Sequence, residues 1–145
     1  MPEKKEGTNY TAAYPGKWED LKDYKIEGRV KTRGKLFLNE LLGLTSMEAS
    51  LSSFPPHTSI PFHHKHVENE ELYIFVKGTG QFQVDDEIFD IEEGTVVRVA
   101  PEGARTLRNN SDEVLYYICV QAKDHSLNQK SNDDGVLVEK PVEWE

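Results

Sequence analysis

The chain has 145 residues, 30% of them charged, and a formal net charge of −9. That length supports one hydrophobic core and hardly two, and an apolar share of 37% excludes an unfolded chain. The acidity disfavours nucleic acid, whose phosphates need clustered Lys and Arg, and no window approaches the roughly 20 apolar residues that span a bilayer.

Residues 1–33 read as a polar N-terminal extension. Met1 to Gly7 has no apolar stretch of the signal-peptide kind, so the expected location is cytoplasmic. A turn at Pro15-Gly16 follows, then a short strand from Tyr24 to Val30. Lys31, Arg33 and Lys35 alternate and read as a solvated strand edge. Leu38, Leu41 and Leu42 before Gly43 predict one or two helical turns.

Residues 34–122 are dense in strand signals. Met47 to Phe54 alternates apolar with polar residues, the period of a half-buried strand. Leu72 to Val76 is a β-branched and aromatic run. Gln81 to Val84 and Glu87 to Ile91 flank Asp85-Asp86 as a hairpin. Thr95 to Val99, Thr106 to Arg108 and Leu115 to Gln121 complete the set. Residues 123–145 form a tail with one more strand candidate, Gly135 to Val138. Many short strands without a long helical period predict an all-β sandwich or barrel, and closure would protect the strand edges.

Cys119 is the single cysteine, so a disulfide within the chain and a multi-cysteine zinc site are both excluded. The segment with chemistry is Pro61 to Tyr73. On a strand, residues two apart share a face, so His64 and His66 converge while His63 and Lys65 face away. Glu71 starts the next strand, and in a hairpin the paired ends lie side by side. Two neutral imidazoles and a carboxylate suit a divalent ion of Zn, Ni, Fe or Mn, with open positions left over. Tyr73 and Phe75 share the parity of Glu71 and are expected to line the same interior. Gln83, Gln121 and Cys119 are further pocket candidates whose facing the pattern leaves open. His57 and His125 read as loop residues, and Glu70 is the rival to Glu71.

His64, His66, Glu71 and Gly78, with six residues between the last two, resemble the first motif of the cupin superfamily. Gly94, Pro101, Gly103 and Asn110 resemble its second motif, with one extra residue before Pro101. The resemblance implies a single antiparallel double-stranded β-helix, the cupin or jelly-roll barrel, often with a metal inside. This chain departs from the family twice. Thr58 stands where the first motif usually begins with glycine. The histidine that usually supplies a fourth ligand is replaced by Thr106 on one count and by Arg105 on the other.

An inward Arg105 beside a divalent ion would favour an anionic small molecule, since its fork matches carboxylate or phosphate. Without a metal, Glu71 and Arg105 would instead pair across the barrel, with His64 and His66 as hydrogen-bonding pocket groups. Leu72 to Val76 is apolar on both faces, so its outer face is expected to lie under the N-terminal extension or under the second chain of a homodimer. The fold itself leaves open an enzyme or a ligand-binding module.

Overall fold

The computed structural model describes residues 1–26, 32–128 and 134–145. In chain order it forms β1 (Glu3–Glu6), β2 (Thr11–Tyr14), a 3-10 helix (Trp18–Asp23), β3 (Lys25–Ile26), β4 (Thr32–Arg33) and β5 (Lys35–Phe37). These are followed by α1 (Asn39–Leu42), β6 (Glu48–Phe54), β7 (Thr58–Ser59), β8 (Asn69–Lys77), β9 (Gly80–Val84) and β10 (Glu87–Ile91). The last three strands are β11 (Val96–Val99), β12 (Arg105–Asn109) and β13 (Leu115–Lys123). The strand expected over Tyr24 to Val30 is seen as β3, and its remainder falls outside the described residues.

Two antiparallel sheets face each other, with strand orders β10-β9-β12-β7 and β11-β8-β13-β6-β5. Their inner faces enclose one core of Tyr73, Phe75, Phe82, Ile91, Val99, Leu107, Leu115, Tyr117 and Cys119. Parity explains its membership. In β8, Glu71, Tyr73 and Phe75 are buried, while Leu72 between them is exposed. The interior is filled by aromatic rings: Tyr73 meets Phe82 edge-on at 4.9 Å, and Phe75 lies 5.5 Å from Tyr117. Such packing excludes water from the interior.

A second cluster, Leu21, Leu36 and Leu41, packs with Trp18 and Leu51 on the opposite face of β6. Trp18 also meets Tyr116 edge-on at 5.9 Å. Through Leu21 and Trp18 the N-terminal extension thus covers the outer face of the five-stranded sheet near β5 and β6. It leaves Val96 on β11 64% exposed and Leu72 39% exposed.

The hairpin at Asp85-Asp86 forms as predicted, with Asp85 at positive φ. Gly78 turns the chain between β8 and β9 at φ +99°, where a Cβ would lie 2.7 Å from the Val114 carbonyl oxygen. One expectation is corrected. Gly135 to Val138 pairs with nothing among the described residues and is exposed throughout, because strand-like composition forms no strand without a partner ladder. Among the described residues no helix is long and apolar enough to cross a membrane.

Candidate metal centre

The site forms at one end of the barrel, where three segments meet. Glu71 comes from β8 and Arg105 opens β12. His64 and His66 lie on the connection between β7 and β8. That connection is not the hairpin partner of β8 that the sequence pattern predicts. It is held instead to the start of β12: the His64 amide donates to the Arg105 carbonyl at 3.1 Å, and the Arg105 amide returns the bond to the His64 carbonyl at 2.9 Å. The His66 amide donates to the Pro101 carbonyl at 3.2 Å. These extended contacts preserve the two-residue alternation, so both imidazoles turn inward while His63 and Lys65 are exposed.

The result is a convergent donor set. One ligand atom each from His64, His66 and Glu71 lies within 4.8 Å of the others. His66 Nε2 is 3.4 Å and His64 Nε2 3.7 Å from Glu71 Oε1. Donors bound to one ion at tetrahedral angles stand about 3.3 Å apart, so the spacing of these donor atoms suits a divalent cation. His66 Nε2 is also buried and, among the described residues, has no hydrogen-bond partner, which leaves its lone pair available to a cation. Side-chain exposure of 39% for His64 and 28% for His66 opens the site to the outside, while Glu71 is 5% exposed.

Glu71 is held by its neighbours. Oε1 accepts hydrogen bonds from Arg105 Nη1 at 2.7 Å and from Tyr73 Oη at 2.8 Å, and Oε2 accepts the Cys119 thiol at 3.2 Å. Burial alone would push its carboxyl up. His64, the hydrogen bonds from Tyr73 and Cys119, and His66 outweigh that and hold it at about 2. Burial and the adjacent carboxylate push the Tyr73 hydroxyl far up and the Cys119 thiol up to about 12, so both remain protonated donors.

The register of β12 on β9 resolves which residue takes the place of the usual histidine. Leu107 stands opposite Phe82 and Thr106 opposite Gln83. Arg105, Leu107 and Asn109 are buried, and Thr106 hydrogen-bonds the Ile60 carbonyl. Arg105 therefore points inward, where Nη2 also donates to the Ala100 carbonyl at 2.7 Å. Tyr73 and Phe75 are buried as their parity predicts. Gln83 is not brought to the cluster: it donates to the Asp85 carbonyl and lines an outer groove of about 310 Å³ with Gln81, Ile88 and Arg108. The alternation Gln81, Phe82, Gln83 already carried that signal, since Phe82 is fully buried. Gln121 stands opposite Glu71 in the ladder of β13 on β8, and its side-chain oxygen accepts a hydrogen bond from Asn69. Glu70 pairs with Arg98 on the surface, which leaves Glu71 as the carboxylate of the site. His57 pairs with Asp112, and His125 is exposed beside Asp124.

Similarity to known proteins follows the same elements. Residues 50–121 match the family model described as a cupin domain. A crystal structure of a cupin protein from Bacteroides fragilis is 32% identical, with a TM-score of 0.69 over 79% of this chain and 97% of that one. A protein of Photorhabdus luminescens shares the fold at 18% identity, with a TM-score of 0.59 over 70% of this chain and 82% of that one. An uncharacterized protein of Methanocaldococcus jannaschii is 27% identical over 63 residues, 43% of this chain, and the match spans half the length of that relative. With both motifs carried on the strands and turns of a two-sheet antiparallel barrel, and with such relatives, the chain belongs to the cupin superfamily.

Proposed function

We propose that the protein binds a divalent metal through His64, His66 and Glu71, and with it a small anionic molecule at the mouth of the barrel. The observation that carries this reading is the convergence of the three donor atoms within 4.8 Å. The expected anion follows from charge. Glu71 and Arg105 cancel, so a divalent ion leaves about two positive charges beside a buried carboxylate. A carboxylate or phosphate would neutralise them, held near His64 and His66 because aromatic rings fill the space below. When bound, the metal would supply Lewis acidity. The protein's own part is to fix the carboxylate, exclude water beneath it and leave the two imidazoles accessible. The test is elemental analysis of protein purified without added metal or chelator, followed by titration with Zn, Ni, Fe and Mn. Metal uptake that His64→Ala and His66→Ala abolish supports the reading, and a protein that takes up none of the four ions overturns it. Turnover of an anion found by thermal shift would make the protein a metal-dependent enzyme rather than a binder.

The Arg105–Glu71 ion pair favours a second reading, a metal-free binding or sensing module in which the pair shapes the pocket. On that reading Arg105→His creates metal affinity where the unaltered protein has none. Either reading takes the protein to be a cytoplasmic homodimer, with a second copy covering Leu72 and Val96. A monomer by light scattering would remove the dimer.

A further inference from the structure

Four groups crowd one oxygen of Glu71. Arg105 Nη1 and Tyr73 Oη make short hydrogen bonds to Oε1, and both imidazoles face the same atom from 3.4 and 3.7 Å. A carboxylate oxygen has two lone pairs, and the two short bonds occupy both. Both imidazoles face Oε1 and not Oε2, so an ion gripped by His64 and His66 in this arrangement meets an oxygen already in use. Tyr73 is neutral and can share that oxygen with a cation. Arg105 cannot do so without cost, because two positive charges on one buried oxygen repel where water screens little. The guanidinium is also not locked on every side. Nη2 is anchored to the Ala100 carbonyl, but Nε is buried without a partner.

We infer that Arg105 and the divalent ion compete for Glu71 Oε1: the guanidinium is a built-in counter-cation that must leave this oxygen before the metal site can close. The inference rests on the reading of the cluster as a metal centre. It makes Arg105 a positioning residue that weakens metal binding and renders it reversible. It also means that metal loading frees a guanidinium N–H beside the incoming ion, where an anion would be needed most.

The experiment titrates Co²⁺, followed by its visible absorbance, and Zn²⁺, by competition, into the full chain and its Arg105→Gln and Arg105→Lys variants. Arg105→Gln should bind metal at least about tenfold more tightly, while Arg105→Lys, which keeps the charge, stays near the unaltered protein. In the unaltered protein, the side-chain NMR signals of Arg105 should shift on saturation with Zn²⁺. Equal or weaker binding by Arg105→Gln, in a protein that does bind metal, overturns the competition and leaves the metal centre standing. Should Arg105→Gln fail to fold, the NMR titration decides, and unmoved Arg105 signals at saturation overturn it. Absence of metal uptake by every variant brings down the metal centre itself. Uptake by Arg105→Gln alone is the strongest support for competition.

Discussion

Arg105 Nη1 lies 2.7 Å from Glu71 Oε1, with the two side chains only 1% and 5% exposed. Removing one member of such a pair leaves a buried charge uncompensated, which typically costs about 3–5 kcal/mol, whereas removing both costs far less. Glu71→Gln should destabilise the metal-free protein by about that amount, and Glu71→Gln with Arg105→Met should recover much of it. Urea unfolding of both variants checks this. A Glu71→Gln midpoint equal to that of the unaltered protein would show that Arg105 is not left as an uncompensated buried charge.

Tyr73 orients Glu71 from the neighbouring inward position of β8, through the 2.8 Å hydrogen bond to Oε1. Tyr73→Phe keeps the packing against Phe82 and deletes only the hydroxyl. The expected loss of stability is about 1 kcal/mol. Partners that orient a ligand are typically worth about 10–100-fold in metal affinity, so Tyr73→Phe should shift the Co²⁺ titration by that range. Unchanged affinity would mean that Arg105 and Cys119 position the carboxylate without it.

The Glu71 carboxyl is held at about 2, below its ordinary 4.5. A depressed carboxylate stabilises the fold above its unfolded value, and the contribution disappears as pH falls from about 4.5 toward 2. With chelator present, stability should decline over that window by an amount on the order of 3 kcal/mol. Glu71→Gln should lack this component, so the gap between the two proteins should narrow as pH drops. A gap constant from pH 6 to pH 3 would contradict the assignment.

Cys119 is 8% exposed, and burial with the adjacent Glu71 carboxylate pushes its thiol up to about 12. Only about one thiol in 10⁵ would be ionised at pH 7. The native protein should be inert to a thiol-reactive dye over hours and should react stoichiometrically in urea. Rapid native labelling would show that the interior opens far more readily than its packing indicates.

Phe82 is fully buried and touches Tyr73, Phe75 and Phe89. Phe82→Ala should cost about 3–5 kcal/mol, read as a lowered urea midpoint with an unchanged slope. Because Tyr73 leans on this ring, metal affinity should fall as well. A stability loss with unchanged affinity would localise the site to the mouth alone.

The parts of this protein legible from its sequence are those governed by local periodicity. Alternation along Glu71 to Phe75 assigned the inner face of β8, and the two-residue spacing of His64 and His66 put both imidazoles on one side. The two glycine-containing motifs carried the family and hence the barrel. Contacts between distant segments had to come from the folded chain. Counting along the sequence left Arg105 and Thr106 level, and only the pairing of Leu107 with Phe82 turned Arg105 inward. The histidine segment joins β12 rather than β8, a choice made by backbone hydrogen bonds that no local pattern encodes. The same reason applies to Cys119, which faces Glu71 because β13 pairs it with Tyr73, and to Gly135–Val138, where a strand-like sequence found no ladder among the described residues. Which face a side chain takes relative to its neighbour is written in the period of the strand; which distant side chain it meets is set by register, a property of two strands at once.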